Sequence, residues 1–237
     1  MPDLVPVRVV AELASGVGAT SGWGPSLDGI VASQMWAERK AAQLVAGESP
    51  VGLDPDREPE DLNLPFARVS SETGWYWAST CGYPDGLDPH PEVRYWTGRA
   101  DQSALATLAE SPPASIPDRQ GRLRSRVMPL PVLMCRRMVW HAVADPDRLR
   151  EAVSPVRAIG KKRGCGEGEV RAWSVNEVDI DPFAAAHLHP DGTLGRPTPI
   201  DVLGEQPTIK TGARAVLGVR PPVMHPSRRV EVWLPAT

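Results

Sequence analysis

The chain has 237 residues, 41% of them apolar, enough for one large domain or two small ones with a real core. No apolar run approaches the roughly 18 residues of a membrane-spanning helix, and no apolar leader follows a basic N-terminal segment, so a soluble, cytoplasmic protein without membrane contact is expected. The three cysteines, Cys81, Cys135 and Cys165, are odd in number and scattered, which fits reduced thiols and excludes a disulfide framework or a Cys-x-x-Cys metal site. The net charge of −3 conceals a local imbalance. Residues 1–118 carry 7 Lys/Arg against 17 Asp/Glu, residues 119–173 carry 13 against 5, and residues 174–237 carry 6 against 7. Half of all cations thus fall between 119 and 173, as expected of a face that meets nucleic acid or phosphate; the plainer reading is a solvated charge run.

In chain order, "LVPVRVVAEL" (4–13) alternates, with Val7, Val9, Ala11 and Leu13 on one side, and predicts a half-buried strand. The Gly-rich loop "ASGVGATSGWGPS" ends at Ser26, a capping residue for a helix that starts at Leu27 and keeps helical spacing through Ile30, Val31, Met35 and Leu44 to about Ala46. Residues 47–65 are acidic and proline-rich, a linker or surface loop. "ARVSSETGWYWASTC" (67–81) reads as a hairpin turning at Thr73-Gly74, with Trp75 and Trp77 on one strand face. "YPDGLDPHPE" is turn chemistry. "VRYWTGRA" (93–100) reads as a short strand, "ADQSALATLAE" as a weak helix and 111–118 as a loop.

Arg122, Arg124 and Arg126 then alternate ahead of Pro129 and Pro131, which argue for an edge strand or a bulge, so a basic β-finger is expected. Arg136 to Ala144 reads as a strand with Met138, Trp140 and Ala142 facing one way. Asp145 caps a helix with Pro146 at its first position and Leu149 and Val153 as its apolar edge, and Pro155 breaks it. "AIGKKRGCGEGEV" (158–170) leads into a strand over 169–175. The remainder is rich in Pro, His and Gly and ends in a strand where Val230, Val232 and Leu234 alternate. The order predicts an α+β fold of two ferredoxin-like (RRM-like) βαββ units. The chain divides into an N-terminal half (1–118), a basic half (119–176) and a C-terminal extension (177–237), in one continuous domain.

The segment Gly160–Gly168 has too few apolar side chains and too much backbone freedom to build a core. A phosphate-binding P-loop places its lysine after the glycines; here Lys161 and Lys162 precede Gly164. A dinucleotide fingerprint leaves a strand and enters a helix; this loop leaves a helix and enters a strand. What remains is a loop whose backbone N–H groups approach phosphates, with Lys161, Lys162 and Arg163 as counter-charges. The plain alternative is a flexible, solvated connection.

Three segments, "LDGIVASQMWAERKA" (27–41), "DLNLPFARV" (61–69) and "VRAIGKKRGCGEGEVRAWSV" (156–175), carry a family resemblance. The chain resembles the RAMP proteins of CRISPR systems over roughly residues 4–176. More narrowly, it resembles the single-copy RAMP subunit of type IV effector complexes, the counterpart of the fifth Cas family. The most specific element is the helix, then Ile159-Gly160-Lys161-Lys162-Arg163-Gly164 with Gly166 and Gly168, then a strand. The resemblance implies ferredoxin-like RAMP modules and a non-catalytic subunit without cofactors that grips the 5′ handle of a guide RNA. It also implies contact with backbone RAMP subunits, with the large subunit of the effector complex, and with target DNA near its protospacer-adjacent motif. Under it, Gly160, Gly164, Gly166 and Gly168 allow close approach of RNA and Lys161, Lys162 and Arg163 meet its phosphates. The sequence departs from the family pattern at Cys165 and Glu167, and Glu167 and Glu169 lower the field of the loop.

Single-stranded RNA is held by cations on phosphates and aromatic rings on bases. Arg122, Arg124, Arg126, Arg136 and Arg137 are further candidate cations; Trp23, Trp75 and Trp77 are candidate stacking rings, with core packing as the competing role. The alternative function is a metal-independent endoribonuclease, which needs a general base and a general acid. Of His90, His141, His187, His189 and His225, His141 is the best candidate, against the ordinary role of a packed strand histidine. "HLHPD" places His187, His189 and Asp191 close together, short of a secured metal set. A scaffold that offers its basic face to an acidic protein is the third reading.

Overall fold

A computed structural model describes residues 3–19, 21–50, 52–85, 90–98, 101, 103–104, 107, 111, 124–205 and 207–236. Its elements are β1 (Val5–Leu13), β2 (Val17–Gly18), α1 (Leu27–Val45), β3 (Arg68–Ser71), β4 (Gly74–Trp77), β5 (Tyr83–Asp85), β6 (His90–Gly98), β7 (Arg126–Met134), β8 (Arg137–Ala144), α2 (Pro146–Val153), β9 (Val170–Glu177), α3 (Pro182–His187), β10 (Thr198–Pro199), α4 (Ile200–Leu203), β11 (Thr211–Gly218) and β12 (Arg229–Pro235). The fold is mixed α+β. The expected weak helix and the loop at 111–118 lie largely outside the described residues.

β1 realises its alternation: Val7, Val9, Ala11 and Leu13 are buried. It is an inner strand of a four-stranded antiparallel sheet ordered β5-β8-β1-β9. The connection β1–α1–β5 leaves β8 between its two strands, and β8–α2–β9 leaves β1 between its two. Strands from 1–118 and from 119–176 therefore interleave, and the two βαββ units expected from sequence are halves of one sheet. Both helices start at the expected caps. The Ser26 hydroxyl accepts from the Gly29 N–H at 3.2 Å, and the Asp145 carboxylate accepts from the Asp147 and Arg148 N–H groups at 3.1 Å. Leu27 and Val31 of α1 and Leu149 and Val153 of α2 cover one sheet face, packing on Val9, Met138, Trp140 and Ala142. Each such side chain contributes about 1.5–3 kcal/mol of burial free energy.

The C-terminal extension covers part of the other face, where Ala185 and Ala186 of α3 pack on Val143. It then adds a three-stranded sheet, β10-β12-β11, whose β12 is the expected final strand. Arg196 runs from this extension into the interior. Its guanidinium donates to the carbonyls of Trp77, Ser79 (2.7 Å) and Val219 (2.8 Å) and faces Asp28 of α1 at 3.7 Å. A buried charge survives only with such partners. The acidic stretch 47–65 is docked on the same extension: buried Arg228 pairs with Asp61 at 2.8 Å and Glu58 at 3.3 Å, and Arg220 reaches the same two carboxylates.

β6 and β7 pair along all of their length, from His90 opposite Met134 to Gly98 opposite Arg126, and β2 flanks β7. The Pro131 carbonyl accepts from Ala19 at 2.9 Å. Pro131 and Pro129 thus turn their missing donors away from β6, which leaves the β6–β7 ladder intact. The described strands of this expected basic finger hold two arginines, Arg94 and Arg126, and are otherwise largely apolar, with Val93, Tyr95 and Val127 exposed. Two smaller corrections concern turns. The hairpin turns at Glu72-Thr73, with Gly74 (φ +136°) opening β4, and the expected turn at residue 83 contains the edge strand β5. Among the described residues no helix is long and apolar enough to cross a membrane.

Candidate functional site

The glycine-rich loop is tied on two sides. On one, it pairs with the loop after β1: the Lys161 N–H donates to the Gly18 carbonyl at 2.9 Å and the Gly168 N–H to the Gly16 carbonyl at 2.8 Å. The Ser15 hydroxyl donates to the Gly166 carbonyl (2.9 Å) and accepts from the Glu169 N–H (3.1 Å). On the other side β6 grips it. The Lys162 ammonium lies 3.0 Å from the centre of the Trp96 ring, and Arg94 Nη1 donates to both oxygens of the buried Glu167 carboxylate, at 2.9 and 2.8 Å. A slack solvated connection does not describe this loop. Arg94 also neutralises the acid that the sequence placed against the loop's field.

The four glycines divide by cause. A Cβ on Gly160 (φ +77°) would stand 2.6 Å from Val17 Cγ1, and one on Gly168 (φ +69°) would stand 1.9 Å from the Ile159 carbonyl oxygen. These two glycines are required by packing inside the chain. A Cβ on Gly164 or Gly166 meets nothing within 4 Å, so room for a ligand to approach belongs to these two positions alone.

Lys161 and Arg163 are exposed, and no ion pair engages either among the described residues. Both line a cleft of about 280 Å³ together with Trp23, Ser26, Gly29 and Gly160. The cleft therefore joins two cations, the N-terminal turn of a 19-residue helix and a half-buried indole. Cations and the positive end of α1 favour an anion there, and an indole beside them favours a planar group.

The remaining expected residues are dispersed. Arg124 and Arg126 are exposed at the start of β7; Arg126 sits opposite Gly98, on the ribbon face that carries Trp96. Arg136 is exposed at the end of β1 that leads into the first Gly-rich loop, where its carbonyl accepts from Leu13 at 2.8 Å. Arg137 shares Asp85 with Arg8, at 3.6 and 2.7 Å. Arg122 lies outside the described residues. Trp77 is a core side chain, only 4% exposed, and closed to a base. Trp75 meets it edge-on with centroids 4.8 Å apart and carries the guanidiniums of Arg68 and Arg220 over its ring at 4.1 and 4.4 Å. Of the three tryptophans expected to stack on bases, Trp23 alone lines the cleft.

His141 is also interior. Its ring stacks on Tyr83, and burial, with Arg8 and His189 adding to it, pushes its pKa down from 6.5 to about 4. His187 Nδ1–H donates to the Phe183 carbonyl (2.9 Å), which leaves Nε2 to accept from the Tyr76 hydroxyl (2.7 Å). His189 Nε2–H donates to the Cys81 carbonyl at 3.1 Å. Both rings of the "HLHPD" segment are thus engaged within the protein, and among the described residues no group of three His, Cys, Asp or Glu side chains is placed to hold a metal.

Sequence reasoning missed Trp96 and Arg94, which fix the loop from more than 60 residues away, and the contribution of the α1 N-terminus to the cleft. The Ser26 cap was the one sequence signal for the latter. No protein-family model matches the chain, and no curated protein matches it.

Proposed function

We propose that the chain is a non-catalytic RNA-binding protein that seats the backbone of single-stranded RNA on Lys161 and Arg163, beside Trp23. The observation that carries this reading is the cleft itself, where the exposed cations Lys161 and Arg163, the N-terminal turn of α1 and an aromatic ring converge. Such a combination suits phosphates with bases attached. The strand order β5-β8-β1-β9 with its two split crossovers supports a ferredoxin-like sheet, into which the β6–β7 ribbon is inserted between β5 and β8. Joined to the sequence resemblance, it supports a RAMP subunit of a type IV CRISPR ribonucleoprotein. In that role the protein grips the 5′ handle of the guide RNA and caps the backbone RAMP subunits. It adjoins the large subunit and approaches target DNA near the protospacer-adjacent motif.

The endoribonuclease alternative asks for an accessible acid–base pair. Its best candidate, His141, is buried and held neutral, which favours holding RNA over cutting it. Purification from cells, followed by the absorbance ratio before and after RNase treatment, tests the proposal. RNase-sensitive nucleic acid of intact length should copurify. Protein that carries none and binds none when RNA is supplied contradicts RNA binding, and specific cleavage lost in His141→Ala contradicts the non-catalytic role.

A further inference from the structure

A second cavity, of about 460 Å³, lies next to the cleft, and Ala19, Ser21, Trp23 and Pro25 line both. We propose that this cavity takes a nucleobase of the same RNA strand whose phosphate rests on Lys161 and Arg163, with Trp23 as the partition between them. The proposal rests on the RNA-binding reading above and names its second subsite.

The partition is held in place. The Ser21 hydroxyl donates to the Trp23 carbonyl at 2.6 Å, and Trp140 Nε1–H donates to the Pro25 carbonyl at 2.8 Å. At Gly24 the chain runs so close to β5's approach that a Cβ would stand 2.3 Å from the Gly82 carbonyl oxygen. These contacts fix the backbone of the shared wall at Trp23, Gly24 and Pro25.

The two compartments differ in chemistry. The cleft is cationic; the cavity has apolar walls from Leu133, Met138 and Pro131, with Lys210, His189 and Asp191 among its polar groups. Its volume falls within the roughly 300–1,000 Å³ of small-ligand sites, and apolar walls with few polar groups are their usual lining. His189 spends Nε2–H on the Cys81 carbonyl, and burial lowers its pKa, so Nδ1 is left as an acceptor. Lys210 supplies a donor. A base edge requires both kinds of group. A bare phosphate has no use for the apolar cavity, and an apolar ligand has no use for the cations. A nucleotide uses both, across the wall that Ala19, Ser21, Trp23 and Pro25 share.

One side of the cavity is built by the C-terminal extension, through His189, Lys210 and Ala236, and another by Pro91 at the root of the β6–β7 ribbon. The extension, which matches no part of the sequence resemblance, thereby acquires a binding role.

The test compares a labelled single-stranded RNA of about twelve nucleotides with an abasic oligoribonucleotide of equal length and charge, by fluorescence anisotropy. The parent should bind the RNA roughly 5- to 150-fold more tightly, the worth of one seated base. Pro91→Trp and Ala236→Trp plug the cavity from two sides without lining the cleft. Each, with folding verified by thermal unfolding, should lose that preference and bind the abasic strand as the parent does. A parent without preference, or plugged variants that keep it, overturns the base pocket and leaves cation-dependent RNA binding standing. A parent that binds neither strand at low salt overturns the RNA-binding reading itself.

Discussion

The Lys162 ammonium lies over Trp96, 3.0 Å from the ring centre, so the middle cation of the glycine loop is committed to the β6–β7 ribbon. Its neighbours Lys161 and Arg163 line the open cleft. The three consecutive cations are therefore unequal. Replacing Lys161 and Arg163 together by alanine should lower RNA affinity and reduce the slope of log K against log salt by roughly 0.7 for each phosphate left without its cation, about 1.4 for the pair. Lys162→Ala should weaken binding through a looser loop while leaving most of the slope. Anisotropy titrations at several salt concentrations measure both quantities, and equal slope changes in all three single variants would contradict the division.

The glycines of the loop should separate in the same way. A side chain at Gly164 meets open space, so Gly164→Val should unfold like the parent and weaken RNA binding by holding the strand away. Gly168→Ala forces a left-handed φ and drives a methyl group into the Ile159 carbonyl. It should cost about 1–3 kcal/mol of stability or more. Thermal unfolding alongside binding distinguishes the two, and a stable Gly168→Ala protein would refute the packing role.

Stability should fall in mild acid. Burial lowers the pKa of His187 from 6.5 to about 4, with Arg196 adding to it against the Phe183 hydrogen bond, and that of His141 to about 4 as well. Folded, both rings stay neutral down to about pH 4; unfolded, both take up a proton below about 6.5. The unfolded chain thus binds more protons in that window. The stabilisation is complete above pH 6.5 and is lost as pH falls from 6.5 towards 4, by about 1.4 kcal/mol per pH unit for each histidine. Urea unfolding at pH 7, 6 and 5 should show this loss, and His187→Gln should show a shallower one. Parent stability that stays level between pH 7 and 5 would show that these histidines are not held neutral.

Elements set by local chemistry were legible in the sequence. The alternation of Val7, Val9, Ala11 and Leu13, the caps Ser26 and Asp145, and the last strand at Val232 each depend on neighbours a few residues away. Pairings between distant segments were not. Trp75 and Trp77 look like exposed stacking rings until Arg220 and the core close on them. The β5 strand is three residues long inside turn-forming sequence, and only pairing with β8 makes it a strand. For the site, the cations and the glycines could be named, but not which of them the chain uses itself. That was decided by Trp96, Arg94 and Val17, whose approach to the loop leaves no periodic mark in the sequence.

Ultraviolet crosslinking of bound single-stranded RNA, followed by peptide mapping, tests most directly whether RNA lies in the cleft. Crosslinks should map to peptides that contain Trp23 and to the segment 160–168, and should disappear from that segment when Lys161 and Arg163 are both replaced. Crosslinks confined to the sheet face that carries Arg8 and Arg137, with none on either Gly-rich loop, would contradict it.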